Sequence, residues 1–126
     1  MRETCHTICL LELDEPLERV VAAQLGRAGY RTERGDSLAA VATAEPAPAA
    51  VVVDLDPLNA RDWPEDVSWL LRCGQRAPLL LLASDRISPR RERTLGGATI
   101  LYKPFTMREL RRRLADCLPA DSGVKR

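Results

Sequence analysis

Short apolar runs alternate with amphipathic stretches along the chain, and this alternation restricts the possible folds more than any other feature. The apolar runs lie at residues 7–11, 51–53, 79–83 and 98–102, with a shorter polar run at 30–34. They lack the period-2 alternation of a half-exposed sheet, so helices are expected to cover both faces. The pattern predicts a doubly wound α/β fold with five parallel strands and right-handed crossovers.

Five helices are predicted between and after these strands. The first carries an apolar stripe from Leu17 to Ala28, and the last begins with a capping box at Thr106–Glu109. The others are predicted to begin at residues 36–37, at the Asp62–Glu65 capping box and at Ser88–Pro89. Residues 1–118 are expected to form one domain, and residues 119–126 a C-terminal tail or linker stub.

Composition and charge narrow the functional classes. The chain has 126 residues, of which 45% are apolar, and no apolar run is long enough to span a membrane. Since the N-terminus also lacks a signal-peptide core, we expect a cytoplasmic protein. Residues 1–66 hold 13 acids and 6 bases (−7), whereas residues 67–126 hold 13 bases and 5 acids (+8). The basic half is a candidate for an electrostatic role.

Four cysteines are present, at positions 5, 9, 73 and 117. Cys5 and Cys9 share one face of a strand, with His6 nearby, so a metal site is conceivable. The chain has no closely spaced cysteine pair, and a fourth ligand would have to come from a distant helix. We therefore expect the cysteines to be buried small hydrophobes and not ligands or disulfides.

Two strands end on charged residues. Asp54 follows the apolar run at 50–53, and Lys103 follows the run at 100–102 and precedes Pro104. Parallel strands deliver such residues to one carboxyl-terminal edge, where open α/β sheets bind ligands. A carboxylate at a strand end is expected to be exposed enough to attack phosphorus in line, while a lysine and a divalent cation neutralise the transferring oxygens. The alternative is that Asp54 is only a turn residue.

With Lys103-Pro104-Phe105 and Asp54 in these positions, the chain resembles the receiver domains of two-component response regulators over nearly its whole length. The resemblance implies the flavodoxin-like strand order 2-1-3-4-5, Asp54 as phosphoryl acceptor and Lys103 as a phosphate contact. Ser84, one residue after the usual hydroxyl position, is the second candidate phosphate contact. It also implies a cis bond before Pro104. A sensor histidine kinase or phosphotransfer protein would be the phosphoryl donor. We do not expect an enzyme, because the sequence shows no Ser/His/Asp or Cys/His nucleophilic set and has only one histidine.

The metal-binding part of the receiver pattern is damaged. Receivers end the first strand with two carboxylates that hold Mg²⁺. Here a gap-free count gives Glu12 and Leu13, and the alternative alignment gives Leu13 and Asp14. Either way Leu13 replaces one acid, which weakens any Mg²⁺ site built with Asp54 and Asp56. Asp14 is equally well explained as the N-cap of the first helix.

The switching residues also depart from the family pattern. Ala83 stands where receivers carry Thr or Ser, with Ser84 one step later. Ile100 takes the aromatic switch position, and Tyr102 lies next to Lys103. The fold signature is thus kept while the switch is degraded, which indicates an atypical receiver.

Several functions remain open. The first is a receiver with impaired phosphorylation, and the second a phosphorylation-independent pseudo-receiver that acts as an interaction module. A flavodoxin-like nucleotide or cofactor binder is disfavoured because no glycine-rich phosphate loop is present. The resemblance places the partner surface on the fourth predicted helix, fifth strand and fifth predicted helix, for a homodimer or an output domain. Direct nucleic-acid or membrane binding is not expected. The arginines predicted on that surface are Arg90, Arg91, Arg108, Arg111 and Arg112.

Overall fold

The computed structural model describes residues 6–59 and 63–118, which form one five-stranded sheet with helices on both faces. The strands are β1 (Thr7–Leu11), β2 (Arg31–Arg34), β3 (Ala50–Asp54), β4 (Leu79–Ala83) and β5 (Thr99–Tyr102). The helices are α1 (Glu15–Arg27), α2 (Leu38–Ala42), α3 (Asp56–Asn59), α4 (Trp63–Arg76), α5 (Pro89–Thr94) and α6 (Met107–Cys117).

The sheet is parallel throughout, in the order β2-β1-β3-β4-β5. This confirms the predicted doubly wound topology. The polar run at 30–34 forms an edge strand, as its composition suggested, and the most apolar strands, β3 and β4, lie in the interior, where every residue is buried. Apolar runs without alternation are required there because helices cover both faces.

Two cores result, one on each face of the sheet. Val51 and Val53 face the core formed with α2, α4 and the segment around α5, whereas Val52 faces the core formed with α1 and α6. Successive strand residues point to opposite faces, so one strand supplies both cores. At Gly35, an added Cβ would lie 2.8 Å from a side-chain atom of Val41 and 2.9 Å from the Sγ of Cys9, so a larger residue would force the packed side chains beside β2 to shift.

Local signals place the helix ends. Asp14, Ser37, Ser88 and Thr106 each cap a helix by accepting a hydrogen bond from a backbone N–H three residues later. Thr106 and Glu109 form the predicted capping box.

The predicted secondary structure lacks one helix that the structure contains, and some predicted features lie outside the described residues. The four-residue helix α3 was not predicted, so the fourth and fifth predicted helices are α5 and α6. Asp62, in the predicted capping box of α4, and the predicted tail at 119–126 lie outside the described residues, as does Cys5. Within the described ranges, no helix is long and apolar enough to cross a membrane.

Candidate functional site

The carboxyl ends of β3, β4 and β5 lie side by side. Asp54 is in register with Leu82, and Ala83 with Tyr102. Two backbone bonds extend the ladders past the strand ends, from Leu55 N to Leu82 O (2.8 Å) and from Lys103 N to Ala83 O (2.8 Å). The residues that follow the strands are therefore held at one edge, and this edge carries the cluster of charged side chains.

The centre of the cluster is the ammonium group of Lys103. Its Nζ lies 2.7 Å from Oδ2 of Asp54 and 2.9 Å from Oδ2 of Asp56. Ser84 completes the group: its hydroxyl donates to Oδ2 of Asp56 (2.6 Å), and its backbone N–H donates to Oδ1 of the same carboxylate (2.9 Å). One lysine thus joins two carboxylates, and one of these carboxylates joins the end of β4.

Asp54 is buried, contrary to the expected exposure of a strand-end acceptor. Its exposed fraction is 3%, and it is the one buried charged residue among those described. Its Oδ1 accepts a hydrogen bond from the N–H of Asp56 (3.0 Å), which closes an Asx turn at the start of α3. The same carboxylate therefore shapes the turn and pairs with Lys103.

The pKa values follow from these contacts. Burial acts to raise the pKa of Asp56, but hydrogen bonds from Ser84 and the charge of Lys103 outweigh it, and the pKa lies below its usual value. For Lys103, burial acts to lower the pKa, whereas bonding to Asp54 and Asp56 raises it, and the pKa lies above its usual value. These contacts therefore favour the charged forms of Lys103 and Asp56.

The β1 side of the edge does not complete a metal site. Oδ1 of Asp14 accepts from the N–H of Leu17 at 2.9 Å, so Asp14 serves as the N-cap of α1. Glu12 has a φ of +68° directly after β1, and Leu13 packs against the core under α1 and α6. Among the described residues, no group of three or more His, Cys, Asp or Glu side chains is placed to hold a metal ion. The residues present do not fit the Mg²⁺ site that the receiver pattern implies.

The peptide bond between Lys103 and Pro104 is cis. A second cis bond, between Glu45 and Pro46, was not anticipated from the sequence.

Tyr102 makes a contact that the sequence did not indicate. Its hydroxyl accepts a hydrogen bond from the N–H of Ile87 (3.2 Å), and the guanidinium of Arg86 lies 5.4 Å from its ring centroid. Ala83 is fully buried, so Ser84 is the residue after β4 that reaches the charged cluster. The loop between β4 and α5 is thus held by two hydrogen bonds, from Ser84 to Asp56 and from the Ile87 N–H to Tyr102.

The predicted partner surface lies around the edge strand β5. Helix α5 itself contributes no buried residue. Its C-cap residue Leu95 belongs to one core, whereas Leu110 and Leu114 of α6 belong to the other, so the two helices flank opposite faces of the sheet. Arg113 donates to the carbonyl of Ile100 on β5 (3.3 Å). The exposed arginines on α5 and α6 are Arg90, Arg91, Arg93, Arg108, Arg111 and Arg112.

The predicted cysteine roles can be compared with the structure for three of the four residues. Cys9, Cys73 and Cys117 are free thiols, and the first two are buried. Burial raises the pKa of Cys9 to about 11 and that of Cys73 above its usual value. Buried thiols with a raised pKa are weak nucleophiles and weak ligands. Cys9 and Cys73 have the expected burial, whereas Cys117 is only partly buried.

Comparison with known proteins identifies the fold. No family model and no curated protein matches the chain. Solved structures do match, among them a response regulator receiver protein from Sinorhizobium medicae (19% identity, 90% of this chain and 94% of that chain, TM-score 0.71). The chemotaxis response regulator CheY4 of Vibrio cholerae matches at 23% identity over 91% of this chain and 100% of that chain (TM-score 0.69).

A third match is NtrX from Brucella abortus, at 17% identity over 91% of this chain but 26% of that chain (TM-score 0.69). The chain therefore has the fold of response regulator receiver domains, as the resemblance in its sequence implied.

Proposed function

We propose that the chain is a receiver-like signalling domain in which Asp54 is a poor phosphoryl acceptor. The exposed arginines of α5 and α6 form a basic face around β5, and this basic face is the proposed output surface. The observation that carries this proposal is the Asp54–Lys103 ion pair of 2.7 Å at the carboxyl edge of a receiver fold. A lysine bonded to the acceptor carboxylate is positioned to neutralise charge on a transferring phosphoryl group. The donor would be a sensor histidine kinase or a phosphotransfer protein.

Three features argue that phosphoryl transfer to Asp54 is weak. The Asp54 side chain is only 5% exposed, so a phosphodonor has little access to its oxygens. Leu13 removes one acidic ligand, and Mg²⁺ gives up its water reluctantly. Ser84 and Lys103 are already bonded to Asp56. The same features support a second candidate, a pseudo-receiver that binds its partner without phosphorylation.

The basic face is proposed to bind an acidic protein surface, either a second copy of the chain or an output domain. Exposed arginines on α5 and α6 flank β5, and a concentration of one charge speeds and steers association. The match to a quarter of NtrX is consistent with a domain of this fold being one part of a longer chain. Reversal of Arg111 and Arg112 to Glu should weaken association, and the effect should shrink as salt rises.

The test of phosphorylation is incubation with a small phosphodonor and Mg²⁺, read by intact mass. We expect slow or no gain of a phosphoryl group by the wild type. Rapid, Mg²⁺-dependent gain that is abolished by Asp54→Ala would show an efficient acceptor and overturn the proposed impairment. No gain, together with partner binding unchanged by Asp54→Ala, would select the pseudo-receiver.

A further inference from the structure

The carboxylate of Asp56 receives three donors of different kinds. Its Oδ2 accepts from the Ser84 hydroxyl (2.6 Å) and the Lys103 ammonium (2.9 Å), and its Oδ1 accepts from the Ser84 N–H (2.9 Å). An ammonium, a hydroxyl and a backbone N–H converging on one point form an anion-binding donor set. In this chain, the carboxylate of Asp56, the first residue of α3, occupies these donors.

These donors are also the ones that a phosphoryl group on Asp54 would use. Oδ2 of Asp54 lies 2.7 Å from the same Lys103 ammonium, so its phosphorylated form would extend toward donors that Asp56 already occupies. Asp56 follows Asp54 by only two residues, and its N–H donates to Oδ1 of Asp54 (3.0 Å) in the Asx turn. Its carboxylate is therefore present at the site at a high effective concentration, and a free anion would have to displace it.

The contact also fixes the loop between β4 and α5. Ser84 is held to Asp56 at the start of this loop, and the N–H of Ile87 is held to the Tyr102 hydroxyl near its end. The next residue, Ser88, caps α5, where the basic face begins. The position of the loop that leads into this face thus depends on a bond to a carboxylate of the site.

We propose that Asp56 is an internal anion that fills the Lys103–Ser84 donor set and holds the 84–87 loop in place without a phosphoryl group on Asp54. The regulatory meaning rests on the proposed receiver function, because a signalling domain would use this loop to connect the acidic cluster to its output face. The physical claim, that a carboxylate in the same chain occupies the donor set, can be tested separately.

The first test is hydrogen exchange of the Ser84 amide, measured by NMR on the full chain. Asp56→Ala should speed exchange at Ser84 by about tenfold or more, since a charge-assisted hydrogen bond is lost. Asp85→Ala is the matched control, because it removes an exposed carboxylate from the neighbouring position of the same loop, and it should leave Ser84 exchange unchanged. Equal exchange in wild type and Asp56→Ala would overturn the proposal.

The second test asks whether the donor set becomes available. Inorganic phosphate should shift the Ser84 amide resonance in Asp56→Ala at concentrations that leave the wild type unaffected. If both proteins respond alike, Asp56 does not occupy the donors. If Asp56→Ala folds poorly, Ser84→Ala provides an independent test, because it removes only the hydroxyl. The NMR resonance of the Asp56 carboxyl carbon should move in Ser84→Ala and should not move in Asp85→Ala. An Asp56 carboxyl carbon that is insensitive to Ser84→Ala would count against the bond.

Mg²⁺ alone separates this proposal from a metal-ligand role of Asp56. Millimolar Mg²⁺ should not change Ser84 exchange in the wild type. If Mg²⁺ speeds that exchange as Asp56→Ala does, the carboxylate serves the metal and the proposal fails. Because none of these measurements involves transfer to Asp54, a failed phosphorylation assay would bear on the proposed function and leave these results unaffected.

Discussion

The two halves of the carboxyl edge differ in what holds them together. On the β3–β5 side, Asp54, Asp56, Ser84 and Lys103 are joined by direct bonds of 2.6–3.0 Å. On the β1 side, the partly buried Leu13 packs against a core and Asp14 caps a helix. The charged groups on the β3–β5 side are in direct contact, whereas Leu13 and Asp14 on the β1 side have packing and capping contacts. The ionic cluster therefore forms without a carboxylate from position 13 or 14.

The largest effect is expected from removing Lys103. Lys103→Met would leave the buried Asp54 and the adjacent Asp56 without their shared cation. Breaking a buried ion pair by deleting one partner costs about 3–5 kcal/mol, and since the Lys103 side chain is 25% exposed we expect a loss of about 2 kcal/mol in the free energy of unfolding. Urea denaturation measures this. A loss below about 0.5 kcal/mol would mean that the cluster contributes little to stability.

A matched control for this experiment is the Lys103→Met substitution in an Asp54→Asn background. The neutral amide in that background leaves no buried charge at position 54 to lose its partner, so the additional loss should be smaller than in the wild type. Equal losses in both backgrounds would show that the two residues are not energetically coupled.

A smaller effect is expected on the β1 side. Asp14→Ala should lower the free energy of unfolding by about 1 kcal/mol, because the N–H of Leu17 loses its capping acceptor. Asp14→Ser retains a capping oxygen but removes the carboxylate, and it should be close to the wild type in thermal denaturation. A loss in Asp14→Ser as large as in Asp14→Ala would show that the charge, and not the cap, is what Asp14 supplies.

Much of the fold was predictable because it follows from periodicity. The apolar strands, the polar edge strand and the capping residues at Ser88 and Thr106 are local signals, and the strict alternation of elements leaves few topologies. The meeting of Asp54 and Lys103 was predictable for the same reason, since parallel strands end at one edge.

The details of the site were less predictable because they depend on side-chain direction beyond the strand ends. The sequence marked Asp56 as an extra acid for a metal, but the Asx turn at Asp54 brings its carboxylate to Ser84 and Lys103. The burial of Asp54 and the Tyr102–Ile87 bond likewise arise from packing between distant segments. No periodic pattern encodes such contacts.

The central claim, that this edge is closed by its own ionic cluster and not built around Mg²⁺, is tested most directly by the dependence of stability on Mg²⁺. A site with a Kd of about 1 mM would raise the free energy of unfolding by about 1.4 kcal/mol at about 10 mM Mg²⁺. We predict no increase for the wild type relative to the same ionic strength of NaCl, and an increase for Leu13→Asp, which restores an acid. A Mg²⁺-specific increase of that size in the wild type, lost in Asp54→Asn, would contradict the account.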